Sequence, residues 1–294
     1  GHDIPGTLVL PEGAEGAVPA VLMLHGYASS ADEVGSMYAR AAAALAAQGV
    51  GSLRSDFAGM GAREASTLDY EWGSQTGDAD TALDWLLTQD AVDPERVGVL
   101  GFSNGAMIGS YLVGTDERPS AFASWSGALS DGPARADFLE PNLAACEESG
   151  EGHIELDLGW RLIDHSCEYF SSMLGGTALT EFASFDDPLL LIAGSADTSV
   201  DPSVSENAAT ASASEDVTFE LIEDGDHIYP VLTEDVVPHL VEEHFLKGRP
   251  VGDLMFTPPG EPAPVPIMSD IGFFSKQRLI ALRNRGMIDP EKID

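Results

Sequence analysis

Arg96-Val97-Gly98-Val99-Leu100-Gly101-Phe102-Ser103-Asn104-Gly105-Ala106-Met107 is the stretch that decides how this chain folds. An apolar strand runs into Gly-x-Ser-x-Gly, and Ala106-Met107-Ile108-Gly109-Ser110-Tyr111-Leu112 continues as a helix. A serine on so sharp a strand-to-helix turn is strained, and glycines on both sides let neighbouring backbones pass close to it. Its hydroxyl then projects from the carboxyl edge of the sheet, above a helix N-terminus. Gly-x-Ser-x-Gly also arises by chance, so the reading depends on its context and on partners elsewhere in the chain.

Strands and helices alternate on both sides of this turn. Ala20-Val21-Leu22-Met23-Leu24 is almost continuously apolar, as befits a strand buried on both faces of a mostly parallel sheet. A helical pattern runs from Ala31 through Ala47, with Gly49 closing it, and Val50–Asp56 reads as the next strand. Asp78–Leu87 reads as a helix, and Asp93-Pro94-Glu95 turns the chain into the Ser103 strand. Ala121–Ser126, Pro188–Gly194 and Val217–Ile222 supply further strands, Ser205–Ala213 a polar helix and Leu232–Leu246 the last core helix. The alternation predicts an α/β, doubly wound, mostly parallel sheet with right-handed crossovers.

That rhythm fails between Gly127 and Asp187. The expected organisation is therefore a core of residues 1–126 and 188–247, a lid of a few helices at 127–187, and a proline-rich linker and extension at 248–294. The lid holds Trp160, Tyr169 and Phe170 as candidate pocket residues, together with His153 and His165. It also holds both cysteines, Cys146 and Cys167, which either pair to close the lid or lie as two buried thiols. Two cysteines cannot build a disulfide framework or a cysteine zinc cluster, and neither metal nor cofactor is expected.

Forty-nine acidic residues face 14 basic ones, giving a net charge of −35. Such a charge argues against nucleic acid and anionic membrane surfaces as partners. Lysine is confined to Lys247, Lys276 and Lys292, and the acid excess with so little lysine favours adaptation to high salt over an ordinary acidic surface. Residues 248–294 carry six charges of each sign, so the whole −35 sits in residues 1–247. No apolar run is long enough to span a membrane. The chain begins at Gly1 and is expected to be a processed or trimmed product, cytoplasmic, with secretion left open.

Acyl transfer by a serine needs a base, an acid to orient that base, and N–H donors for the oxyanion. Asp197 follows directly on an apolar strand, where an orienting carboxylate is needed, whereas Asp201 before Pro202 suits the cap of the next helix. His227 follows the last strand in Glu223-Asp224-Gly225-Asp226-His227. His25 also follows a strand but lies upstream and suits a brace for the loop after it, while His239 and His244 sit in the last helix. The donors should be the backbone N–H groups of Asn104, next to the serine, and of Tyr27 in His25-Gly26-Tyr27.

His25-Gly26-Tyr27, Arg54-Ser55-Asp56-Phe57-Ala58-Gly59-Met60-Gly61, Gly101-Phe102-Ser103-Asn104-Gly105, Gly194-Ser195-Ala196-Asp197 and Gly225-Asp226-His227 together resemble the serine hydrolases of the α/β-hydrolase superfamily. Within it the chain is similar to bacterial carboxylesterases of the cinnamoyl/feruloyl esterase type, over residues 6–247. The resemblance implies an α/β-hydrolase fold with a small lid, a Ser103–Asp197–His227 triad, oxyanion donors Tyr27 and Asn104, and hydrolysis of small-molecule esters without a cofactor. Asn104 stands where glutamine is more usual. Serine at position 103 also counts against dehalogenases and epoxide hydrolases, which need aspartate there, and dienelactone hydrolases, which need cysteine. The segment from Phe274 to Pro290 resembles the start of the flavin-binding subunit of NADH-oxidising complexes, without the domain that would hold flavin. A read-through extension or an arm for homodimer contact are its two expected accounts.

Overall fold

A computed structural model describes residues 3–61, 66–158, 161–222 and Val251. In chain order the elements are β1 (Gly6–Val9), β2 (Val18–Leu24), α1 (Met37–Ala47), β3 (Gly51–Ser55), α2 (Trp72–Leu87), β4 (Val92–Phe102), α3 (Asn104–Thr115) and β5 (Phe122–Trp125). They continue with α4 (Ala136–Ser149), β6 (His153–Asp157), β7 (Leu162–Ser166), α5 (Cys167–Leu174), α6 (Ala178–Phe182), β8 (Leu189–Gly194), α7 (Ser203–Ala211) and β9 (Val217–Ile222). Contacts divide the chain into two units, Gly1–Ala193 with Asp197–Leu221, and Gly194–Ala196 with Ile222–Asp294.

Among the described residues seven strands form one sheet in the order β1-β3-β2-β4-β5-β8-β9. β1 is antiparallel to β3, while β3, β2, β4, β5 and β8 pair in parallel. Parallel pairing requires crossovers, and the helices supply them. Alternation along β2 shows how the faces are covered. Ala20, Leu22 and Leu24 join the cluster that includes α2 and α3, whereas Met23 on the opposite face meets Tyr38 and Ala42 of α1. The sheet is thus wound on both sides, and its central strands are apolar on both faces for that reason.

Local sequence explains most element ends. α2 opens on a reciprocal cap between Glu71 and Ser74, and so begins at Trp72, well before the expected Asp78. α1 begins at Met37 rather than Ala31, because Glu33, Gly35 and Ser36 all have positive φ and a right-handed helix cannot pass through them. The Asp93-Pro94-Glu95 turn is an excursion within β4: Val92 pairs with Val18, Val97 pairs with Ala20, and the residues between bulge out.

Residues 127–187 are not helices alone. β6 and β7 form an antiparallel hairpin, with Ile154 opposite His165 and Leu156 opposite Ile163. α6 packs against α3 and β5: a Cβ on Gly114 of α3 would overlap the Glu181 backbone, and Phe182 lies edge-on to Phe122 of β5. Cys146 of α4 and Cys167 of α5 form a disulfide, which settles the alternative left open by their spacing. Among the described residues no helix is long and apolar enough to cross a membrane.

The disulfide closes a 21-residue separation, for which loop entropy gives about 3 kcal/mol of stabilisation. Replacing both Cys146 and Cys167 with Ser should lower the urea midpoint accordingly, and dithiothreitol should reproduce the shift in the wild type but not in the variant.

Candidate active site

Ser103 joins β4 to α3 with φ 51° and ψ −116°. Such a conformation in a non-glycine residue costs about 1–3 kcal/mol and persists only where its surroundings over-determine it. They do so here. The Ser103 N–H donates to the Trp125 carbonyl at 3.0 Å, and its carbonyl accepts from Ala106 at 3.1 Å and Ala128 at 3.0 Å. A Cβ on Gly101 would overlap the Ala106 backbone, and one on Gly105 the Leu24 carbonyl oxygen. Both glycines of the motif are therefore steric requirements of the turn. The Ser103 side chain remains half-buried, beside the N-terminus of α3.

Asn104 is the first residue of α3, so its N–H has no intrahelical acceptor. Its side chain points inward. Nδ2 donates to the Tyr70 hydroxyl at 2.9 Å and to Gln75 Oε1 at 2.7 Å, which commits the amide to the core.

The loop after β2 is held from within and from the segment 127–187. His25 is fully buried, its Nδ1 hydrogen-bonded to the Gly26 carbonyl at 2.8 Å and its Nε2 accepting the Phe57 N–H at 3.0 Å. Those partners assign the proton to Nδ1, and burial pushes the ring's pKa down, so it stays neutral. This is the bracing role its position suggested. Glu33 Oε1 accepts the Gly26 N–H at 2.6 Å. From that segment, Arg161 Nη1 donates to the Ala28 carbonyl at 2.9 Å, and His165 Nε2 is hydrogen-bonded to the Tyr27 hydroxyl.

Tyr27, Tyr70, His165 and Tyr169 form a ring cluster; His165 stacks on Tyr169 with centroids 4.0 Å apart, and Tyr27 on His165 at 5.5 Å. Phe170 meets Tyr169 edge-on at 5.0 Å and is fully buried. Burial pushes the phenols of Tyr27, Tyr70 and Tyr169 up and His165 down to about 4, so every member is neutral at ordinary pH. His165 Nδ1 is buried without a hydrogen-bond partner among the described residues.

Asp197 lies in the turn after β8, half-buried, with Oδ1 accepting from the N–H groups of Ser199 at 2.8 Å and Val200 at 3.0 Å. Pro202, not Asp201, is the N-cap of α7; Asp201 stands one residue before it, its carboxylate accepting the Ser203 N–H at 2.9 Å and its carbonyl the Val204 N–H at 2.9 Å. Ser203 thereby holds the Asp201 carboxyl below the usual carboxylate range. His227 and Trp160 lie outside the described residues. A groove of about 410 Å³ runs over Val21, Gly98, Ala123, Leu190 and Thr218, in mid-sheet and away from the Ser103 turn.

Sequence reasoning had no role for Glu33, Tyr70, Gln75 or His165. Tyr70, Gln75 and His165 act through partners distant in sequence, and only Glu33, whose partners lie within seven residues of it, carried any signal.

A family model described as X-Pro dipeptidyl-peptidase (S15 family) matches residues 1–136. An uncharacterised protein of Mycobacterium tuberculosis is 29% identical over 203 residues, 69% of this chain and 61% of that protein. The chain thus matches less than two thirds of that relative's length. Among solved structures, Est1E from Butyrivibrio proteoclasticus with bound ferulic acid superposes with a TM-score of 0.65 at 18% identity, covering 83% of this chain and 94% of that one. The monoacylglycerol lipase of Paleococcus ferrophilus gives 0.59 at 18% identity, over 82% and 97%. With the sheet order and crossovers described above, these likenesses identify the α/β-hydrolase fold.

His165 makes stability pH-dependent. The unfolded chain takes up a proton on this ring near pH 6.5, while the folded chain accepts it only near pH 4. Stability is therefore lost as the pH falls through that window. By pH 4 the wild type should lose about 3 kcal/mol more than His165→Phe, measured by urea unfolding of both at pH 7 and pH 4. Parallel losses would refute a neutral His165.

Proposed function

We propose that this α/β-hydrolase-fold chain is a serine hydrolase that cleaves carboxylic esters through an acyl-enzyme. The observation that carries the reading is the strained Ser103 turn, which leaves a serine hydroxyl beside a helix N-terminus at the carboxyl edge of the sheet. In the proposed reaction His227 takes the Ser103 proton as Oγ attacks the ester carbonyl, and Asp197 orients the imidazole. The carbonyl oxygen, now negative, accepts hydrogen bonds from the N–H groups of Tyr27 and Asn104. Collapse expels the alcohol, which takes its proton from His227. Water then attacks the acyl-enzyme by the same route and releases the acid.

Short-chain or aryl esters are the proposed substrates. The half-buried, neutral Tyr27 ring, backed by the buried Tyr70 and Tyr169, supports an apolar or aromatic acyl group, and Est1E holds ferulic acid. A second reading, cleavage of amide or peptide bonds by the same residues, is favoured by the S15 match. The Cys146–Cys167 disulfide supports an exported enzyme over a cytoplasmic one, since thiols are kept reduced in the cytosol.

Ser103→Ala should lower kcat/KM for p-nitrophenyl butyrate by about 10⁴-fold or more, and Asp197→Asn by about 10⁴-fold, while Asp201→Asn should leave turnover unchanged. Retained activity in Ser103→Ala would refute the reading. An ester and an amide with the same acyl group separate the two substrate classes.

A further inference from the structure

We infer that Glu33 is a positioning residue for the oxyanion-binding N–H of Tyr27, an inference that rests on the serine-hydrolase reading above. Glu33 has φ 61° and ψ 171°, a backbone region that essentially only glycine enters without strain. Its side chain is nonetheless buried, at 6% exposure. Among the described residues no cationic group forms an ion pair with it; the carboxylate is held by hydrogen-bond donors instead. Oε1 accepts the Gly26 N–H at 2.6 Å, and Oε2 accepts the Ser29 hydroxyl at 3.0 Å and the Val34 N–H at 2.9 Å. A carboxylate offers acceptors on both oxygens at once, which a carboxamide cannot.

The consequence for Tyr27 follows from peptide planarity. The Gly26 N–H belongs to the peptide unit before Gly26, and the Gly26 carbonyl belongs to the same unit as the Tyr27 N–H. In a trans peptide that C=O and N–H point in opposite directions, so whatever fixes one aims the other. His25 Nδ1 fixes the Gly26 carbonyl, and Glu33 fixes the preceding unit. Gly26 sits between the two planes with the widest backbone freedom of any residue. Its surroundings are already tight: a Cβ there would lie 3.0 Å from the Phe102 ring and 3.2 Å from Glu33 Oε1. Without the Glu33 carboxylate the plane before Gly26 is released, and the His25 bond to the Gly26 carbonyl alone is left to aim the Tyr27 N–H, which can then drift from the direction it needs when the oxyanion forms.

Glu33→Gly separates this role from a structural one, because glycine relieves the backbone strain while removing the carboxylate. It should fold with a thermal midpoint at or above that of Glu33→Ala. Its kcat on p-nitrophenyl butyrate should fall about 10- to 100-fold, the range for misplacing rather than deleting a donor, with KM within about twofold of wild type. Affinity for a trifluoromethyl ketone should fall by the same factor as kcat/KM. Glu33→Gln should show a smaller loss of the same kind, and it decides by the same criteria if Glu33→Gly does not fold. Asp32→Asn, which removes the neighbouring acid that pairs with Arg54, should keep wild-type kcat. A Glu33→Gly kcat within twofold of wild type, a loss confined to KM, or an equal loss in Asp32→Asn would overturn the inference. Wild-type protein that a fluorophosphonate fails to label would instead refute the underlying serine-hydrolase reading, and this inference with it.

Discussion

The structure depends on forcing a serine into a backbone conformation it resists. Ser103 stays at φ 51° because its N–H and carbonyl are both engaged, and because Gly101 and Gly105 let α3 and the end of β2 come closer than any side chain would permit. Much else serves that closeness. β5 supplies the Trp125 carbonyl and Ala128 follows it, so β4 must have β5 beside it. β2, on the other side, brings the Leu24 carbonyl against Gly105, so the position of the serine is set by both neighbouring strands.

Around this turn the polar groups are buried yet neutral or fully bonded. Asn104 spends its amide on Tyr70 and Gln75, and His25 spends both ring nitrogens on backbone. In a low-dielectric setting an unmet polar group costs about 1–3 kcal/mol, so each pairing keeps the site from collapsing into an alternative arrangement. Among the described residues, Ser124 Oγ on β5 and His165 Nδ1 in the ring cluster depart from that rule. The low proton affinity of His165 follows from the same burial.

What could be read in the sequence is what local sequence encodes. Gly-x-Ser-x-Gly spells its own geometry, and the apolar runs of β2, β4, β5 and β8 announce buried strands wherever they fall. The loop at residues 31–36 could not be read that way. Ala31 and Glu33 are good helix formers, and a bond from the Gly26 N–H to Glu33 overrides that propensity. The lid hairpin was hidden because its inward residues, Ile154, Leu156 and Ile163, are few and set among acids. The Cys146–Cys167 pairing needed the fold to bring α4 beside α5, and the Tyr27–His165 contact spans 138 residues.

Backbone strain is gathered at one edge of the sheet. Five non-glycine residues have positive φ among those described: Ala28, Glu33, Ser36, Ser103 and Ser126. All lie in the segments that follow β2, β4 and β5, three adjacent strands, and ligands of open α/β sheets are bound beyond that carboxyl edge. The segment 127–187 reaches the same edge through Arg161 on Ala28 and His165 on Tyr27. Tyr27 therefore faces two ways: its ring joins the lid cluster, while its peptide is held by His25 and Glu33. In the proposed reaction an acyl group seated against that ring bears on the residue whose N–H receives the oxyanion. Acyl preference would then be expressed in kcat as well as in KM, because recognition and transition-state stabilisation share one residue.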